Sequence, residues 1–156
     1  MVLQRETDAA IWGWASPGES VRVSGSWMNT PKSTTADDKG RWMVRIPTQA
    51  AGGPHTLTIA GNNSITLNDV LIGEVWLCSG QSNMEWQLSG VNTDQARQAI
   101  EDADVPQIRL FNVPNTISLQ PRIDCAGDWQ VSTPENAARF SGVGYFFGSL
   151  LHRNLD

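Results

Sequence analysis

Ser82 is the residue whose type and setting most directly offer covalent chemistry. It lies in WLCSGQSNMEW, Trp76 to Trp86, where an apolar run gives way to Gly80, Gln81, Ser82 and Asn83, with a carboxylate following at Glu85. A serine hydroxyl at such a corner can attack an acyl carbon if nearby amides stabilise the oxyanion and a base takes the proton. A plainer reading also fits: Ser82-Asn83-Met84-Glu85 matches a capping box, in which Ser and Glu satisfy the orphan amides of a helix start. The two roles are compatible. The segment is not the Gly-x-Ser-x-Gly elbow, because position 84 is methionine and the second glycine is missing.

Little else in the chain has the spacing of a reactive group. The two histidines are His55, after Gly52-Gly53-Pro54, and His152, beside Arg153 near the end of an apolar helical pattern. A surface role is the default for the first. Favourable interaction with a helix C-terminus is the default for the second. Asp37-Asp38, Glu101-Asp102 and Asp104 read as solvated charge in a turn and at a helix end, without His or Cys at metal-ligand spacing. Glu85 reads as part of the helix start, and Gln81, Asn83 and Trp86 as the floor of a pocket. Cys78 and Cys125 leave the redox compartment open; Cys78 sits in an apolar run and reads as a buried, unreactive thiol.

The elements that must position Ser82 fall into two patterns. Up to residue 68 the sequence reads as a small all-β unit with strands at 10–15, 20–26, 41–46, 56–60 and 64–67. Turn chemistry at Ser16-Pro17-Gly18, Asp37-Asp38-Lys39-Gly40 and Gly52-Gly53-Pro54 separates them. Val21 and Val23 alternate with polar neighbours, as do Trp42, Val44 and Ile46, so each strand buries one face. Short strands at this spacing predict a sandwich-like domain over 1–68.

At Asp69 the pattern changes. Residues 70–78 are almost continuously apolar and predict a strand buried on both faces of a parallel sheet, delivering Ser82 to the crevice at its end. Gly80 is expected to make the sharp turn. Residues 92–104 read as a helix capped by Asn92 or Thr93, with Ala96, Ala99 and Ile100 inward. A strand follows at 107–113, then a polar connection to about 136. The last helix, 141–154, has Val143, Phe146, Phe147, Leu150 and Leu151 as its inward stripe. Strands alternating with helices make 69–156 an α/β segment.

Composition bounds the partners. With 11 basic and 16 acidic side chains the formal net charge is −5, which argues against nucleic acid or an anionic membrane. No apolar run reaches the length of a membrane span, and no basic region followed by an apolar core marks a signal peptide in this chain. Seven tryptophans are many for 156 residues, and core packing in a β-rich protein is their default role.

GEVWLCSGQSNMEW resembles the first conserved block of the sialate O-acetylesterase family, carbohydrate esterases of the wider SGNH hydrolase group. The likeness spans nearly the whole chain. MVLQRETDAAIWGWASPGESVRV is similar to the family's opening β region. GRWMVRIPTQAAGGPHTLTIAGNNSITLNDVLIG is similar to its continuation, and RFSGVGYFFGSLL to a later helix. The resemblance implies a β-sandwich-like region followed by the start of a three-layer SGNH-type α/β domain. It implies Ser82 as nucleophile, its own N–H in the oxyanion hole, Gly80, Gln81 and Asn83 around it, and acetylated carbohydrate as substrate through an acetyl-serine intermediate. No metal or organic cofactor is implied. A secreted or periplasmic location is.

The family also uses a glycine in a second block, an asparagine in a third, and an Asp-His pair near the end of the catalytic domain. None of these occurs here, and neither His55 nor His152 stands in such a context. A helix over 141–154 should also lead into a further strand. The expectation is therefore an N-terminal portion of a longer esterase, nearly inactive alone and partnered by the remainder of the catalytic domain, in cis or as another chain. The competing expectation is a non-catalytic carbohydrate-binding or interaction module using Trp12, Trp14, Trp27 or Trp42. Trp12 and Trp14 lie two apart on one strand, so they must be displayed together or buried together.

Overall fold

The computed structural model describes residues 1–155, which form two compact units, Met1–Val75 and the chain from Trp76 onward. The first unit is all strand: β1 (Val2–Gln4), β2 (Asp8–Trp14), β3 (Ser20–Gly25), β4 (Lys32–Thr35), β5 (Arg41–Pro47), β6 (Gly52–Ala60) and β7 (Ser64–Gly73). Five of them form a mixed sheet in the order β1-β7-β6-β3-β4, in which only β1 and β7 run parallel; β2 and β5 form a separate antiparallel pair. The period-two alternation read from the sequence decides which side chains go inside. Val21, Val23, Leu57 and Val70 from the larger sheet meet Ile11, Trp42 and Ile46 from the pair in one core.

Two short strands, β1 and β4, escaped the sequence reading. Three or four residues are too few to show alternation, and pairing with a neighbour decides them. The turn expected at Gly52-Gly53-Pro54 instead begins β6, with a shifted register against β7 up to His55 and Leu57. Gly53 takes φ +137°, a conformation open to glycine, and the bond to Pro54 is cis.

The parallel strand expected over residues 70–78 does not form. Val70 to Gly73 complete β7, and residues 74 to 80 have no strand pairing among the described residues. The change of pattern at Asp69 has a local cause. Asp69 sits at φ +55°, and β7 uses three steps, Leu67 to Val70, where β6 uses two, Leu57 to His55. That bulge resets the alternation, so Leu67 packs against the core, Val70 is buried in it, and Ile72 is buried as well. Beyond Gly73 the apolar run has no strand partner among the described residues, and Leu77 stands 88% exposed. Glu74 and Val75 stay tied to the first unit, Glu74 by an ion pair with Arg5 at 2.8 Å and Val75 by its amide to the Gln4 side chain.

The second unit contains a single-turn helix α1 (Ser82–Glu85), a 3-10 turn at Leu88–Gly90, α2 (Asp94–Glu101), β8 (Val105–Phe111), β9 (Trp129–Ser132), α3 (Pro134–Arg139) and α4 (Gly142–Leu155). The Thr93 side chain caps α2 by accepting from Ala96 N, as the sequence allowed. β8 pairs antiparallel with β9, inside what read as a polar connection. The core is small: Leu88, Ala96, Ala103, Leu110, Ala137 and Tyr145. Buried Ser132 donates to Ala103 O at 2.7 Å and lies 3.3 Å from the Tyr145 hydroxyl.

The apolar stripe expected to face inward on α4 faces outward. Val143, Phe146, Phe147 and Leu150 are exposed, while Gly142, Gly144 and Tyr145 are buried. Small residues permit the close approach: a Cβ on Gly142 would meet Leu88 Cα at 3.5 Å and Val91 Cγ2 at 3.4 Å. Proximity of backbones, not side-chain bulk, selects the packed face here.

Candidate active site

Ser82 is the first residue of α1, and it is exposed. The capping box does not form. Gln81 occupies the cap position without a side-chain hydrogen bond, and the Glu85 carboxylate accepts from Asn115 Nδ2. Serine and glutamate are each one position too far along to close on the orphan amides, because the helical turn begins at Gln81 O. That carbonyl receives Met84 N at 2.9 Å and Glu85 N at 3.1 Å, and Ser82 O receives Trp86 N at 3.0 Å. The Ser82 hydroxyl consequently has no hydrogen-bond partner among the described residues. The amides of Ser82 and Asn83 likewise have no acceptor there. A free hydroxyl beside two free N–H groups at a helix start is an arrangement that favours negative charge.

Gly80 serves by close approach and not by a left-handed turn. Its φ is not among the positive ones, yet a Cβ there would stand 2.9 Å from Met84 Cβ. Any other residue would push α1 away from the chain that enters it. Gln81 and Asn83 flank Ser82 and are exposed, so sequence adjacency alone brings Gly80, Gln81, Ser82 and Asn83 together.

The far side of this turn is held by residues that sequence reading passed over. Ser141 Oγ donates to Met84 Sδ at 3.3 Å and accepts from Gly144 N at 3.1 Å. Leu88 N donates to Phe140 O and Gly142 N to Trp86 O, both at 2.9 Å, while Gln87 bridges to Ser141. The start of α4 is thus a clamp on the back of the serine turn, more than fifty residues away along the chain. The only signal for it in the sequence was the Ser-Gly pair at the head of the last helix. Trp86 is 58% exposed and lies against Gly90, where a Cβ would sit 2.5 Å from its Nε1. Trp76 meets Phe147 edge-on at 5.3 Å.

No base is hydrogen-bonded to Ser82 among the described residues. His152 is exposed in the last turn of α4 and makes no hydrogen bond to it. His55 is engaged in the first unit, with Ser26 Oγ 3.4 Å from Nδ1 and Gln49 Nε2 3.3 Å from Nε2. Cys78 is half-buried and Cys125 exposed, and they are not bridged. No helix among the described residues is long and apolar enough to cross a membrane.

No family model matches the chain. Individual proteins do. The mouse sialate O-acetylesterase is 31% identical over 175 residues, covering all of this chain and 32% of its own length. The human protein of the same name is 32% identical, with all of this chain and 33% of that protein aligned. In structure, a carbohydrate acetylesterase from Xanthomonas citri superposes with a TM-score of 0.89 and 41% identity, over 97% of this chain and 35% of that one. The chain therefore spans about a third of the length of the relatives it matches. Within that span the chain is similar in sequence to sialate O-acetylesterases and in fold to a carbohydrate acetylesterase.

Proposed function

We propose that this chain is the nucleophile-bearing part of a carbohydrate O-acetylesterase, with Ser82 as the attacking residue. The observation that carries the reading is the free, exposed Ser82 hydroxyl at the start of a helical turn, beside two amides with no acceptor, in a chain whose relatives are acetylesterases. Ser82 Oγ adds to the acetyl carbonyl carbon and its proton passes to a base. The carbonyl oxygen becomes an oxyanion, which the Ser82 and Asn83 amides are placed to stabilise. Collapse breaks the bond to the sugar oxygen, which takes the proton back from the base as it leaves. Water, deprotonated by the same base, then attacks acetyl-Ser82, releasing acetate and returning the proton to Ser82 Oγ. Gly80 and Gln81 shape the approach to the serine.

The base and the remaining oxyanion donors would come from the two thirds of the relatives that this chain does not match, in cis or as another chain. Alone, the chain is expected to turn over very slowly, because an unassisted serine hydroxyl is a weak nucleophile. The finer architecture belongs to the same proposal: a small sandwich-like β domain, then the opening of an SGNH-type α/β domain, in an exported protein.

The test is acetate release from O-acetylated sialic acid and from acetylated xylan by the full polypeptide, with and without Ser82→Ala. Loss of roughly 10⁴-fold or more in turnover is expected. Unchanged turnover in the alanine protein eliminates the nucleophile assignment.

A further inference from the structure

The antiparallel pair β2–β5 has an outer face that its own core does not need. Ile11, Trp42 and Ile46 point inward. Outward stand Ala10, Trp12 and Trp14 on one strand and Arg41, Met43 and Arg45 on the other, all exposed. Trp12 is 44%, Trp14 53% and Met43 55% accessible, and the two indoles meet edge-to-face with centroids 5.4 Å apart. Such large apolar side chains on the wet face of a strand pair are unusual where alternation otherwise places polar residues.

The charge on this face is as specific as its aromaticity. Arg41 is committed to Asp37, at 3.2 Å. Arg45 has no carboxylate partner among the described residues. One of its nitrogens donates to Asp8 O at 3.0 Å, which holds the guanidinium in place and leaves other N–H groups unused. Asp8 also lies on this face, without an ion pair to Arg45. In the register, Arg45 faces Ala10 and Met43 faces Trp12, so Arg45 and Trp12 are diagonal neighbours across the smallest residue of the face. Diagonal positions are about 7–8 Å apart, so a guanidinium and an indole there can both touch one ligand the size of a sugar.

We propose that the outer face of β2–β5 binds a carboxylated sugar, with the ring's C–H face on the Trp12 indole, Trp14 buttressing that indole edge-on, and the carboxylate on the Arg45 fork. An indole face accepts the apolar side of a pyranose, and a guanidinium matches a carboxylate in a bidentate manner. The chain's overall net charge of −5 gives no general attraction for anions, so recognition must come from this local cation. The choice of a sugar rests on the carbohydrate-esterase reading; the site itself lies on another unit from Ser82, and its test reads binding, not hydrolysis.

The experiment is an NMR titration of the 156-residue chain, following the indole N–H signals. The probes are the methyl glycoside of N-acetylneuraminic acid, its methyl ester, glucuronic acid and glucose. The expected result is saturable movement of the Trp12 and Trp14 signals with both acids, at least about tenfold weaker binding of the ester and of glucose, and weakening by salt. Trp12→Ala should weaken the acids about tenfold, and Arg45→Gln should make acid and ester bind alike while leaving spectral dispersion unchanged. Equal binding of acid and ester to the parent chain would overturn the proposal. So would signals that stay fixed at tens of millimolar acid, or acid binding undiminished in Arg45→Gln. Loss of binding by Ser82→Ala would also overturn it, whereas failure here leaves the nucleophile assignment standing.

Discussion

The two units bury different kinds of residue. The first closes its core with Ile11, Val21, Val23, Trp42, Ile46, Leu57 and Val70, branched and aromatic side chains supplied by alternating strands. The second is centred on Leu88, Leu110 and Tyr145, with alanines making up the remainder, while Trp76, Leu77, Val143, Phe146, Phe147 and Leu150 lie outside. A fully buried large apolar side chain contributes roughly 1.5–3 kcal/mol. The first unit thus gains its stability from side-chain bulk. The second has fewer bulky core side chains and uses close helix approaches, such as Gly142 against Leu88. The serine turn belongs to the lightly packed unit, where segments of low local stability and of function tend to be found.

That contrast can be attacked by substitution. Leu57→Ala, in the first core, should cost about 2–5 kcal/mol, whereas Leu150→Ser on the outer face of α4 should change stability by no more than about 0.5 kcal/mol. Denaturant unfolding followed residue by residue with hydrogen exchange measures both. If Leu150→Ser proves as costly as Leu57→Ala, the outward face of α4 is packed and the comparison fails.

Thr93→Ala removes the cap of α2 and should cost about 1 kcal/mol, appearing as faster exchange confined to the second unit. Spread of that effect into the first unit would show the two to unfold as one.

Acidification probes the first unit most gently. Backbone hydrogen bonds, chiefly from Asn62 to Glu19 and from Arg41 to Asp37, hold both carboxyls below their ordinary range. A lowered folded-state value means stability that is present above the ordinary carboxylate pKa and lost as pH falls through the lowered values. Asp37 is exposed and Glu19 half-buried at the surface, so the effect should be local. The amides of Ser16, Asn62, Lys39 and Arg41 should lose protection, relative to their intrinsic exchange rates, as pH drops past that range. An acid response of equal size throughout the chain would contradict this.

Much of the strand pattern was legible because burial on one face leaves a period of two, and 20–26 and 41–46 lie within about a residue of β3 and β5. The cap at Thr93 was legible because its chemistry is local. The strand expected to deliver Ser82 was misread: an apolar run looks the same whether a second layer covers it or not. The outward stripe of α4 was misread for the same reason, since periodicity reports that a helix has an apolar face but not which neighbour reaches it.

By itself the sequence determined the β-then-mixed order of elements, the serine at a helix start, and the resemblance that gives it chemical meaning. Only the tertiary structure decided that Asp69 is a bulge and not a change of domain pattern, that Ser82 is free of its capping partner, and that Ser141, Phe140 and Gly142 hold its turn from behind. The reason is physical. Alternation, capping and turn preferences act over a few neighbouring residues, whereas register, coverage and the vacancy of a hydroxyl depend on groups brought close from dozens of residues away.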